Sequence, residues 1–125
     1  MNQEKFVTAY KESRNGTDKF YFNKLYPRFR YSDGVRDCAM AGCYWLVDVL
    51  GLEVTREMAK RRREFTIVKV KVENEQATIS CDFEEYEQEP FVKYVHTTDL
   101  PEGVWEFYIS DEGELGYSCI LPSEY

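Results

Sequence analysis

Histidine is nearly missing from this chain: His96 is the only one among 125 residues. The G-x-S-x-G nucleophile elbow, the phosphate loop, the G-x-G-x-x-G dinucleotide turn and the H-E-x-x-H zinc helix are all absent from the sequence. Without these, the usual routes to hydrolase, nucleotide-dependent and metalloprotease chemistry have no anchor, and a non-enzymatic role is expected. No apolar run approaches the roughly 20 residues that a bilayer span needs. Residues 1–11 carry Glu4, Lys5 and Lys11 with no apolar stretch between them, so no signal peptide is read there and a cytoplasmic setting in a bacterial host is expected. Glycine and proline are sparse, at seven and four, and no low-complexity linker or internal repeat appears. A single domain over 1–125 is the simplest reading at this length.

Basic residues run out halfway. Residues 1–72 hold 15 Lys and Arg against 9 Asp and Glu, whereas residues 73–125 hold one, Lys93, against 14. If the halves segregate in space, the fold carries a strong charge dipole. Four cysteines stand at Cys38, Cys43, Cys81 and Cys119. In apolar contexts these read as reduced core thiols. Cys38 and Cys43 are about 140° apart around a predicted helix and diverge, so no metal site is expected, and no cofactor.

What is abundant is aromatic: ten Tyr and eight Phe mark a folded chain with ring packing in its core. The longest apolar stretch, residues 32–52, reads as a buried helix over 33–50. Ser32 or Asp33 is its N-cap, and Val35, Cys38, Gly42, Trp45, Leu46 and Val49 fall at three- and four-residue steps. Gly51 reads as its stop, and Asp48 is its lone charge between Cys38 and Leu50. Residues 2–11 suggest a short helix before it, and residues 54–63 a second helical piece after it. The run Lys60, Arg61, Arg62, Arg63 near the end of that piece complements a helix carbonyl terminus. Six of the twelve residues over 20–31 are aromatic, interleaved with Lys24, Arg28 and Arg30. The plainer reading is an irregular segment whose rings close the core. The sharper one is a platform for nucleic acid.

After residue 64 the period changes to two. Thr66, Val68, Val70 and Val72 alternate with Lys69 and Lys71. A turn at 73–76 leads into Ala77, Ile79, Cys81 and Phe83, alternating with polar residues. Further strands are read over 91–96, 104–110 and 115–121, with turns at 97–103 and 111–113. The expected architecture is α+β: two to three N-terminal helices packed on one face of a roughly five-stranded antiparallel meander. The other sheet face and its loop tips would then gather carboxylates. We read Asp82, Glu84, Glu85, Glu87, Glu89, Glu106, Asp111, Glu112 and Glu114 as a candidate protein-binding surface. Carboxylates two residues apart on a strand stand ~7 Å apart, a spacing that can meet a row of Lys or Arg.

Four stretches carry a resemblance. Tyr31-Ser-Asp-Gly-Val35, Ala41-Gly-Cys-Tyr-Trp-Leu-Val-Asp48, Thr98-Asp-Leu-Pro101 and Leu121-Pro-Ser-Glu-Tyr125 resemble an uncharacterised family of small phage, plasmid and bacterial proteins. The pattern of that family, a domain of unknown function, runs roughly Y-T-D-G-V, A-G-A-Y-W-L-[IL]-D, T-D-F-P and L-L-P-S-E-Y. The likeness covers about residues 20–125. Cys43 stands where that pattern has alanine, and the glutamate-rich 84–89 stretch reads as an insertion. The resemblance implies a mobile-element setting and assigns no activity. Tyr44, Trp45, Asp48, Pro122 and Tyr125 are singled out only as members of the shared stretches.

Together these observations predict a small phage-like protein that acts by binding a protein partner with a basic surface. The specific form of that expectation is an inhibitor of a host DNA-targeting defence system that presents a nucleic-acid-like acidic surface. The alternative is nucleic-acid binding through residues 20–31 and Lys60 to Arg63. Self-association of oppositely charged halves would give a homo-oligomer.

Overall fold

The alternation that begins near residue 65 does form strands, but they join a larger sheet than the five-stranded meander expected. In the computed structural model, which describes residues 1–12, 19–81, 83 and 90–125, seven strands make one sheet. They are β1 (Phe20–Tyr21), β2 (Phe29–Ser32), β3 (Phe65–Glu73), β4 (Gln76–Cys81), β5 (Val92–Val95), β6 (Gly103–Asp111) and β7 (Tyr117–Ile120). Their spatial order is β1-β2-β7-β6-β3-β4-β5. The sheet is mixed: β2 lies parallel to β7, with Phe29 opposite Tyr117 and Tyr31 opposite Cys119, and the other neighbours are antiparallel.

The two unforeseen strands come from the aromatic stretch. Two of its six rings close the core, Phe29 and Tyr31, whereas Phe20 and Phe22 are exposed. They do so as alternate residues of β2, with Arg30 between them on the other face. There Arg30 donates to Ser118 Oγ at 2.9 Å and lies over the Phe20 ring at 5.0 Å. The β3–β4 hairpin is as read, with Asn74 and Glu75 both at positive φ in its two-residue turn.

All the helices pack on one face of the sheet. Helix α1 (Gln3–Lys11) begins at Asn2, whose side chain accepts from the Lys5 N–H. Its Phe6 and Tyr10 rings meet Trp105 edge-on at 5.1 and 5.0 Å. β7 pairs with only the last part of β6, so the first part of β6 needs another partner on that side. The Tyr10 hydroxyl supplies one, accepting from the Glu106 N–H at 2.8 Å.

The single helix expected over 33–50 is broken. Helix α2 (Asp33–Met40) ends at Ala41, and Gly42 takes φ +125, a region that excludes a continuing helix and favours glycine. Helix α3 (Tyr44–Val49) then runs without interruption through a π-turn (Leu50–Val54) into α4 (Thr55–Arg61). Gly51 therefore does not stop a helix; it lies in the middle of one. It is needed for close approach, because a Cβ there would lie 2.8 Å from the Phe29 ring and 2.9 Å from the Tyr26 ring.

The π-turn has a geometric cause. Leu46, Leu50, Val54 and Met58 are all buried, each four residues after the last. At 3.6 residues per turn, a four-residue step overshoots by about 40°, and three steps would swing Met58 out of line. One wider turn restores the stripe. The same rod has a wet side, so it is not apolar all round as expected: Tyr44, Asp48 and Leu52 are exposed.

The end of the chain is fastened to the beginning of α2. Glu124 is 5% exposed. Its carboxylate accepts from the Ser32 hydroxyl, from the Gly34 N–H at 3.1 Å and from the Leu121 N–H at 2.9 Å. Ser32 caps α2 with the same oxygen, accepting from the Val35 N–H at 3.2 Å. Glu124→Ala leaves three buried donors without that acceptor. It is expected to cost about 3 kcal/mol in urea unfolding, with Glu124→Gln intermediate.

Candidate functional site

Of the carboxylates read as a binding surface, the four described ones divide between the open sheet face and one loop tip. Asp82, Glu84, Glu85, Glu87 and Glu89 lie outside the described residues. Glu106 is on the open face, but opposite Lys69 of β3. Asp111, Glu112 and Glu114 sit at the β6–β7 turn, at one end of the sheet. There Asp111 accepts from the Gly113 N–H at 2.9 Å and Glu112 from the Ser110 hydroxyl at 2.7 Å. Arg28 donates to the Gly113 carbonyl at 3.3 Å. The reason is topological. The basic strand β3 comes from the positive half of the sequence and is inserted between β6 and β4 from the negative half. Lys69 and Lys71 consequently share the open face with Phe65, Tyr108, Val104 and Tyr94.

A second carboxylate group, not singled out from the sequence, lies at the opposite end of the sheet. Glu75 from the β3–β4 turn and Asp99 and Glu102 from the loop before β6 line a concavity of about 810 Å³. Trp45 of α3 and Gln3 of α1 are also among its lining residues. The loop is held in place by its backbone. The Thr98 N–H donates to the Glu75 carbonyl at 2.8 Å, the Leu100 N–H to Thr98 Oγ1 at 3.2 Å, and Gln3 Nε2 to the Asp99 carbonyl at 2.7 Å. Just after it, Trp105 Nε1 donates to the Pro101 carbonyl at 2.9 Å. The Asp99 carboxylate is ion-paired with the Met1 amino group at 3.1 Å, and Glu102 accepts from the Asn74 N–H at 3.2 Å.

Glu75 is held at φ +62, at the turn position where glycine is favoured. A non-glycine residue kept there is mildly strained, and strain of this kind accumulates at binding surfaces. The signal in the sequence was the pair of stretches containing Trp45 and Thr98 to Pro101, which the fold brings together here.

The remaining shared-stretch residues divide between surface and structure. Tyr44 is exposed and Trp45 half-buried. Asp48 is exposed and accepts a hydrogen bond from the Tyr26 hydroxyl. Burial, together with that bond to Asp48, pushes the Tyr26 phenol well above its ordinary range. Tyr31, raised by burial and by the neighbouring Tyr44, belongs to the same group of rings. Pro122 opens the 3-10 turn that carries Glu124. Tyr125 is 88% exposed, with its ring edge-on to Tyr108 at 5.7 Å. Lys60 and Arg62 are exposed on α4 and its C-cap, and Ala59 beside Lys60 lines a concavity together with Tyr26 to Phe29 of the 20–31 stretch. Arg61 is engaged by Glu57 at 3.0 Å.

All four cysteines are buried. Cys43 Sγ donates to the Cys38 carbonyl at 3.3 Å. Burial pushes the Cys43 and Cys81 thiols up to about 12 and drives Cys119 higher still. Among the described residues no three His, Cys, Asp or Glu side chains come together as metal ligands would, and no helix is long and apolar enough to cross a membrane.

These features define a small α+β protein whose helices cover one face of a mixed seven-stranded sheet. Residues 8–125 match a protein family described as a family of unknown function, DUF6876, and the chain belongs to it. No curated protein and no solved structure matches the chain.

The thiol environment has a direct readout. At pH 8 the native protein is expected to react with Ellman's reagent far more slowly than free cysteine, and to yield four thiols per chain in urea. A fast native thiol would contradict the burial described. The Tyr26 phenol gives a second readout. Because its pKa is raised on folding, its contribution to stability is complete below pH 10 and is lost as the pH rises above that value. Tyr26→Phe is therefore expected to flatten the fall of stability between pH 9 and 11, measured by urea unfolding.

Proposed function

We propose that this protein is a non-enzymatic binding module that engages a protein partner through that partner's basic side chains. The observation that carries this reading is the concavity at the Glu75 end of the sheet. It combines an indole wall, Trp45, with three carboxylates, one of them on a strained turn residue. An arginine guanidinium suits such a site, since its plane stacks on an aromatic ring while its donors meet carboxylates. The net charge of −7 favours encounter with basic surfaces at low salt. Within this reading the partner class is a host protein with a basic groove made for nucleic acid, such as a defence nuclease. A phage or plasmid origin is the setting that gives such binding a purpose.

A short arginine-rich peptide tests the reading through intrinsic fluorescence, since Trp45 lines the site while Trp105 is buried. The peptide is expected to change the emission of the protein at low salt, and Trp45→Phe to remove the change. Glu102→Gln is expected to weaken binding two- to fivefold, as for one exposed charge contact of up to about 1 kcal/mol. Glu75→Gly should weaken binding similarly while stabilising the fold by about 1 kcal/mol, because it relieves the positive-φ turn. No emission change at low ionic strength, or equal affinity in all variants, overturns the reading.

A second reading is nucleic-acid binding on the open sheet face. It is favoured by the Phe20–Arg30 pair and by Lys69 and Lys71 standing beside exposed rings. A gel-shift series with single-stranded DNA and RNA at low salt separates the two, since only this reading predicts a shifted band that salt abolishes.

A further inference from the structure

A second concavity, remote from the acidic one in character, lies where the helical rod crosses the loop before β2. Its volume is about 370 Å³, within the range of small-molecule sites. Its base is formed at Gly51, where the absence of a side chain lets the Tyr26 and Phe29 rings press against the helix. The π-turn begins one residue earlier. Thr55 Oγ1 donates to the Gly51 carbonyl at 2.7 Å, so the backbone oxygen exposed by the wide turn is satisfied within the rod and does not call for a donor from a ligand. Leu52 and Ala59 add apolar surface from the rod, and Tyr117 adds a ring from β7. Two arginines complete the lining, Arg56 on the rod and Arg28 on the loop. Asp48, held by the Tyr26 hydroxyl, disfavours an anion at that end of the groove.

From this arrangement we infer that the groove binds a small aromatic anion, a flat ring bearing a carboxylate or phosphate. The ring lies over the floor that Gly51 and the Tyr26 ring make, flanked by Leu52 and Ala59 of the rod and by the Tyr117 ring. The acid group is directed away from Asp48, toward Arg56 and Arg28. Arginine suits both oxyanions, because its planar fork meets two oxygens at once. The two classes of site on this molecule thus have opposite preferences: cations at the sheet end that holds Trp45, and anions in the groove floored by Gly51.

The test uses the full chain and 2-naphthoate as the probe, followed by amide NMR titration. Two comparison compounds are the neutral 2-naphthalenemethanol and inorganic phosphate. Naphthoate is expected to shift the amides of Gly51, Leu52, Thr55 and Arg56, and to bind at least about tenfold more tightly than either comparison compound, which is the worth of one good charge-assisted contact. Arg56→Gln is expected to reduce naphthoate affinity about fivefold to tenfold without changing the dispersion of the spectrum. Ala59→Phe, which fills the groove from an exposed helix position, is expected to abolish the shifts while leaving the remaining amides in place. The proposal is overturned by an absence of shifts at these residues up to about 5 mM naphthoate. It is equally overturned by affinity for the neutral compound equal to that for naphthoate, or by titrations unchanged in both variants.

Discussion

A buried carboxylate holds this fold closed. Glu124 lies under the surface and gathers donors from two places ninety residues apart: Ser32 and Gly34 at the start of α2, and Leu121 beside it in the last turn. A charge in that position is tolerated only while its donors are present. The bond set therefore does more than fasten a terminus. It places the exit of β7 against the exit of β2, and two strands that leave the sheet side by side in the same direction pair in parallel. The parallel contact of the sheet, β2 with β7, sits next to this fastening, and through it the aromatic residues Phe29 and Tyr31 of β2 enter the core.

From that constraint the layout of the surface follows. With every helix on one side, the sheet sends Val68, Val70, Ile79, Phe107, Ile109 and Cys119 inward, and leaves the opposite face to mixed lysines and rings. Two groups of carboxylates stand at its ends. One end carries the β6–β7 turn with Asp111, Glu112 and Glu114, whose carboxylates in part serve the turn itself. The other carries Glu75, Asp99 and Glu102 around a cavity. On the helical side, the π-turn keeps Leu46, Leu50, Val54 and Met58 in one buried line and leaves Gly51 free to receive two rings. Lys93 of the edge strand β5 points to that side and pairs with Glu53 at 2.9 Å. An inward-directed charge of this kind discourages a further strand from adding at that edge.

Much of this was legible beforehand, and the misses share a cause. Strands β3, β4 and β6 could be read because each alternates over six or more residues, enough for a period of two to stand out. β2 alternates over only four, inside a stretch where nearly every second residue is aromatic for other reasons. Its partner, β7, is 88 residues away in sequence at Phe29 and Tyr117, and no local pattern announces a parallel neighbour. Two of the three glycines of the central stretch were given the wrong roles. Gly42 breaks the helix because of its backbone angle, and Gly51 stays inside because rings from a distant loop need the room. Glu124 was read only as part of the 121–125 stretch, since nothing in a sequence says which glutamate will be buried. Glu75, Asp99 and Glu102 are scattered in sequence and meet only once the hairpin and the following loop are packed together.

The functional account depends on which acidic end of the sheet receives a cationic partner. An amide and indole NMR map of the full chain with an arginine-rich peptide decides it. The account predicts shifts at Gln3, the Trp45 indole, Glu75 and residues 97–102, with the 111–115 turn unmoved. Shifts confined to that turn or to the face bearing Lys69 and Lys71, or no shifts at low salt, would contradict it.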